Sequence, residues 1–195
     1  MPIISEWFSR SIYAEKEILT KEENDILINH SLQQYKHNKT WNPVGWASDV
    51  KTTWSTCWID EDPIYKKLLN TIRQHVHNYA QLMTCNEEYY SSGAWLNFYN
   101  EGEGQELHTH NGETFSAVYF MQAPDNCSPL RFQDPFNDLN PLKNPQNVHS
   151  KFINRVFTVP PEERGLVIFR SYMPHMVVNN KSLDKDRITI AVNFK

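Results

Sequence analysis

Over its first eighty or so residues the chain repeats apolar positions with a helical period; beyond them it alternates by twos. Thr20-Lys-Glu-Glu23 has the spacing of a capping box, and Ile26, Leu27, Leu32 and Tyr35 give the following segment an apolar side. Trp41 to Asp60 is irregular and rich in Trp, Thr and Ser, which reads as strand plus loop. Asp62-Pro63 then predicts a second helix, with Asp as N-cap and Pro at the first helical position. Ile64, Leu68, Ile72, Val76 and Tyr79 carry its apolar stripe to about Met83.

From Glu88 the period is two. Strands are predicted over Ser92–Asn100, Leu107–His110, Phe115–Ala123, Leu130–Gln133, Arg155–Val159, Gly165–Arg170, Met176–Val178 and Arg187–Phe194, with a turn at Glu101–Gly104. Pro135 to Pro145, rich in Pro and Asn, is too polar for core and reads as a lid or insert. Two helices beside about eight short strands make the chain mainly β: a double-sheet jelly roll, or double-stranded β-helix, with a helical buttress. The expected organisation is a single domain over 1–195, with helical support over about 1–87 and a β core over about 88–195.

Composition agrees with a sheet protein. Six Trp, nine Tyr and ten Phe against six Gly suit an aromatic-rich twisted sheet better than a bundle. Trp41, Trp46, Trp54 and Trp58 read as core and sheet-facing residues before they read as a binding rim. A net charge of −4 with no basic run gives no sign of a nucleic-acid partner. Cys57, Cys85 and Cys127 are unpaired in spacing and read as reduced thiols. With no signal-peptide pattern and no membrane-length apolar run, the expectation is a soluble cytoplasmic protein, within a host cell if the chain is viral.

The chemistry concentrates at His108-Thr-His110, His175 and Arg187. Two histidines two apart project to one face of a strand, and a third about 65 residues on completes a three-ligand site with open positions. His75-Val-His77 is an internal control. It falls in the second helix, where residues two apart point about 200° away from each other, so it cannot chelate. Arg187 opens a strand whose Ile188, Ile190, Val192 and Phe194 form one apolar face. Arg187, Thr189, Ala191 and Asn193 therefore share the other face, and the arginine offers a planar cation to a carboxylate. His30, His37 and His149 lie among polar residues and read as solvated.

The order Trp95-Leu-Asn97, His108-Thr-His110, Ser116-Ala-Val-Tyr-Phe120, Asp134-Pro135, Gly165 to Ser171, His175, Arg187 and Asn193 resembles the iron(II)- and 2-oxoglutarate-dependent dioxygenases. Within them it is most similar to an uncharacterised bacterial and phage branch related to prolyl hydroxylases. The resemblance spans roughly 41–195. It implies Fe(II) held by His108, His110 and His175, with sites left for 2-oxoglutarate and O₂. Arg187, twelve residues after His175, would pair with the distal carboxylate of the cosubstrate; Tyr99 and Ser116 would stand beside it. The implied reaction couples decarboxylation of 2-oxoglutarate to hydroxylation of a protein, peptide or small-molecule substrate, a prolyl side chain being the first guess.

The chain departs from the family pattern at two positions. His110 stands where relatives carry an acid, so the ligand set is neutral and an Fe(II)–2-oxoglutarate complex has no net charge; Glu106 or Glu113 is the alternative carboxylate. Phe120 stands where relatives often carry a tyrosine. Two competing readings stay open: a cupin-like three-histidine dioxygenase that works without 2-oxoglutarate, and a non-catalytic jelly-roll binding module.

Overall fold

Thr20 starts the first helix as its spacing predicts. In the computed structural model, which describes residues 10–37, 43, 45–57, 59–135, 155–182 and 184–195, helix α1 spans Lys21–His37. Glu23 donates its backbone N–H to Thr20 Oγ1 at 3.3 Å, and Thr20 donates its own to Glu23 Oε2 at 3.1 Å. Both orphan donors are thereby satisfied. Thr20→Ala is expected to cost about 1 kcal/mol, seen as a lower urea midpoint with unchanged slope.

The buried stripe of α1 keeps Leu27, with Leu32 and Tyr35 packed against the core, but departs from the predicted one at Ile26. Ile26 is 57 % exposed, while Asn24, Leu27 and Ser31 face inward. Strand β5 (Phe115–Gln122) accounts for this. Asn24 donates to the Met121 carbonyl at 2.9 Å and accepts from Tyr119 Oη at 2.7 Å, so a buried amide replaces an apolar contact without losing bonds.

Asp62 caps the second helical segment by accepting from the Ile64 N–H at 3.1 Å. A 3₁₀ turn over Pro63–Tyr65 then runs into α2, Lys66–Leu82, which buries Leu68, Ile72, Val76 and Tyr79. The other Asp62 oxygen accepts from His30 Nε2 at 2.7 Å and Gln34 Nε2 at 2.9 Å. His30 therefore ties α1 to the start of α2 rather than being solvated; the His37 side chain and His149 lie outside the described residues. His75 and His77 diverge as expected, the first to Tyr13 Oη at 2.8 Å, the second towards Glu88 at 3.6 Å.

The remaining strands are β1 (Ile12–Glu15), β2 (Lys51–Thr52), β3 (Ser91–Tyr99), β4 (Gln105–His108), β6 (Leu130–Gln133), β7 (Val156–Val159), β8 (Leu166–Arg170), β9 (His175–Val177) and β10 (Arg187–Phe194). They form a six-stranded sheet in the order β1-β8-β5-β10-β3-β2 and a four-stranded sheet in the order β4-β9-β6-β7. The pairings are antiparallel throughout. Of the predicted lid only Pro135 lies among the described residues.

Period-two alternation sorts the large sheet into two buried faces. Ala94, Leu96 and Phe98 of β3 join Ile188, Ile190, Val192 and Phe194 of β10 in the core under the helices. Each such apolar side chain contributes about 1.5–3 kcal/mol on burial. The intervening Trp95, Asn97, Tyr99, Arg187, Thr189, Ala191 and Asn193 line a cavity covered by the small sheet. No helix among the described residues is long and apolar enough to cross a membrane.

Candidate metal centre

Strand pairing brings His108 and His175 together. In the β4–β9 register they are direct partners, at 4.2 Å between ring centroids. The predicted strand through His110 stops two residues short, at His108. His110 reaches the same point from a loop, because its backbone N–H is held by the Ser171 carbonyl at 3.0 Å and the chain then turns at Gly112, φ +87°. Glycine adopts that φ without steric cost. One ligand atom from each of His108, His110 and His175 lies within 4.8 Å of the others.

The rings are held from behind. His108 Nδ1 lies 2.8 Å from the Glu106 carbonyl and His175 Nδ1 lies 2.9 Å from that of Met173. A carbonyl only accepts, so both rings carry their proton on Nδ1 and leave Nε2 free. His110 Nδ1 instead faces the Asn193 side-chain amide at 3.1 Å. The two alternative carboxylates are engaged elsewhere: Glu113 accepts from Ser92 Oγ at 2.6 Å and Glu106 from the Ala47 N–H at 3.2 Å.

Burial pushes all three histidines below their ordinary range, His110 to about 4 and His175, which also faces the other two rings, well down. They are neutral at pH 7, the state a metal requires. Divalent-metal affinity is expected to stay nearly level from pH 8 down to about 6 and to fall as pH approaches 4, measurable by Mn(II) calorimetry. In the metal-free protein the unfolded histidines take up protons near pH 6.5 and the folded ones at lower pH, His110 near 4. Stability is therefore full above about pH 6.5 and is lost as pH falls towards 4.

At the other end of β10, Arg187 is fully buried. Its guanidinium lies 4.7 Å from the Tyr99 ring centre and 5.4 Å from that of Phe120. None of its three side-chain nitrogens has a hydrogen-bond partner among the described residues. The Tyr99 hydroxyl donates to Gln105 Oε1 at 3.1 Å, and the Tyr99 ring stands against the cation. A fully buried, unpaired guanidinium is costly unless an anion completes it. Arg187 and the three imidazoles line one narrow cavity of about 30 Å³. A divalent metal held by imidazole nitrogens and a carboxylate paired with the guanidinium both fit the donors present.

The comparisons with known proteins decide the family. The family model of the 2OG-Fe(II) oxygenases matches residues 93–193. The chain belongs to that family. A search of curated protein sequences returns no match. Among solved structures, a Pseudomonas putida prolyl-4-hydroxylase is similar at TM-score 0.68 and 16 % identity, over 96 % of this chain and 93 % of that one. A prolyl hydroxylase from Trichoplax adhaerens, in complex with a peptide fragment of the hypoxia-inducible-factor oxygen degradation domain, has TM-score 0.70 and 16 % identity, over 95 % and 84 %. HygX from Streptomyces hygroscopicus, with nickel and 2-oxoglutarate bound, has TM-score 0.64 and 11 % identity, over 95 % and 82 %. The shared fold is the double-stranded β-helix. The oxygenase is an enzyme whose family uses Fe(II), 2-oxoglutarate and O₂.

Ser116 stands apart from Arg187. It pairs with Asn193 across β5 and β10, at the histidine end of the cavity, and its hydroxyl bonds Ser171 Oγ and Asn193 Oδ1, each at 2.8 Å. Trp46 packs against the core as expected while partly exposed, and also stands beside His108 at 6.4 Å between ring centroids and 5.6 Å from the partly exposed Trp54. Trp41 and Trp58 lie outside the described residues. Asn193 has no role that spacing alone assigns; alternation places it on the cavity face, but its contact with His110 depends on tertiary structure.

Proposed function

We propose that the oxygenase hydroxylates a prolyl or other peptide side chain, with Fe(II) bound by His108, His110 and His175 and 2-oxoglutarate bound through Arg187. The observation that carries this reading is the buried guanidinium without a partner, in the same cavity as three neutral imidazoles. When bound, the iron and 2-oxoglutarate supply O₂ activation coupled to decarboxylation. The chain's own residues do the positioning. Arg187 supplies a planar two-point contact to the distal carboxylate. The Tyr99 and Phe120 rings present their faces to the guanidinium and wall the carboxylate off from water. Phe120 contributes no hydroxyl, so the carboxylate depends on the arginine.

A peptide substrate is supported by the likeness to prolyl hydroxylases, one of them bound to a peptide. Trp46 beside His108, with Trp54 against Trp46, offers flat apolar surface on which a pyrrolidine ring can rest. The competing three-histidine reading, with substrate bound directly to the metal, leaves Arg187 buried without a counter-charge. A binding module leaves both the cation and the three neutral rings without a role. The test is anaerobic addition of 2-oxoglutarate to the Fe(II)-loaded protein, followed by oxygenation over a panel of proline-containing peptides. A visible charge-transfer band and peptide-dependent succinate are expected. A band without coupling to any peptide would sink the peptide reading alone, and iron binding without the band would favour the direct-binding dioxygenase.

A further inference from the structure

The three imidazoles are not equivalent from behind. His108 and His175 face carbonyls, which fix their protons on Nδ1. His110 faces a side-chain amide, whose two ends have the same shape and opposite hydrogen-bonding character. If the amide presents its NH₂ group, His110 Nδ1 must accept, and the neutral ring carries its proton on Nε2, where it blocks the lone pair. If it presents its oxygen, His110 donates from Nδ1 and Nε2 is free. The group that faces His110 therefore decides whether the site has three ligands or two.

We propose that Asn193 is a positioning residue that switches His110 between these tautomers, reversing its amide when metal binds. This rests on the reading of the three histidines as metal ligands. In the structure Asn193 Nδ2 lies 3.1 Å from His110 Nδ1, the arrangement that suits a ring protonated at Nε2. Reversal is inexpensive because of what stands on the far side. Asn193 Oδ1 is 2.8 Å from Ser116 Oγ, which is 2.8 Å from Ser171 Oγ. A hydroxyl donates or accepts by rotating, so the Asn193–Ser116–Ser171 chain stays bonded whichever end of the amide faces it. The ring's proton moves from Nε2 to Nδ1 and none is gained or lost. Ser171 also fixes the His110 backbone through its carbonyl, so one residue anchors both the loop and the relay. Burial of Ser116 and Ser171 keeps water from replacing either hydroxyl.

The test uses Zn(II) or Mn(II) binding to the purified full chain, read by calorimetry and by ¹⁵N spectra of the histidine rings, with no turnover needed. Asn193→Leu removes both ends of the amide and is expected to weaken metal binding about 10- to 100-fold, the usual cost of losing the partner behind a ligating histidine. Asn193→Asp only accepts, so it fixes Nδ1–H on His110 and is expected to bind metal as tightly as the wild type or more so. A purely structural role for Asn193 predicts the opposite order, since the aspartate buries a charge. In the wild type, His110 is expected to carry its proton on Nε2 when metal-free and on Nδ1 when Zn(II)-loaded. If Asn193→Leu does not fold, Asn193→Asp and these spectra decide. Wild-type affinity in the leucine variant, equal weakening in the aspartate variant, or one tautomer in both states overturns the proposal. A wild type that binds no metal overturns the ligand assignment as well, which separates the two failures.

Discussion

Alanine at position 175 is expected to give a folded protein that no longer loads iron. His175 is the most buried of the three histidines, 4 % exposed, and its ring stands on a strand directly across from His108. Its Nδ1–H is committed to the Met173 carbonyl, so Nε2 is its one free donor atom, pre-aimed at the other two rings. Without it two imidazoles remain, one of them on a loop. The loss of affinity should exceed the tenfold to hundredfold that follows from removing a group behind a ligand. The ring also fills space beside Phe169 and Phe132, with centroids at 4.6 and 6.0 Å. Truncation therefore costs about 2–4 kcal/mol of stability through the cavity it leaves. Circular dichroism and an anaerobic Fe(II) titration on the same sample separate the effects. Wild-type iron stoichiometry in a folded His175→Ala protein would remove His175 from the site.

The parts of this site that could be read from the sequence are those fixed by local period. Arg187–Phe194 alternates without a break, so its span and the face of Arg187 followed directly, and both match the structure. Helix starts at Thr20 and Asp62 were legible because capping is a contact within three residues. What depended on tertiary partners was not. The apolar pattern puts Ile26 on the buried side of α1 because it gives no credit to Asn24, whose burial depends on Tyr119 and Met121. Period two continues through His110, and Asn111-Gly112, a turn signal just beyond it, marks where the strand has already ended. Strand β1 escaped because four residues with half their positions exposed carry little period, and β8 alone defines it. Local sequence makes His30 look solvated because its partner, Asp62, is remote in sequence. The role of Asn193 needed a contact between a strand and a loop that no spacing encodes.

Arg187→Met is expected to raise the stability of the metal-free protein while removing most of its affinity for 2-oxoglutarate. The guanidinium has no exposed surface and no hydrogen bond of standard geometry among the described residues. Burial pushes its pKa down against a smaller opposing effect of Tyr99 and Cys127, so the metal-free fold carries much of its desolvation cost. Exchanging buried charges for apolar side chains of similar volume commonly stabilises by about 1–4 kcal/mol, and methionine fills the space between Tyr99 and Phe120. With 2-oxoglutarate present the balance reverses. Loss of one partner of a buried, hydrogen-bonded charge pair costs about 2–5 kcal/mol, roughly thirtyfold to a few thousandfold in affinity. Iron binding should be unchanged, because Arg187 and the histidines sit at opposite ends of β10's cavity face. Thermal melts with and without 2-oxoglutarate on the Mn(II)-loaded protein would show both effects in one experiment. The wild type should gain stability from the cosubstrate, and the variant should start higher and gain little. A variant that is less stable when metal-free and binds 2-oxoglutarate normally would make Arg187 a structural residue. The buried cation is thus read as stability given up for a carboxylate that only the working enzyme holds.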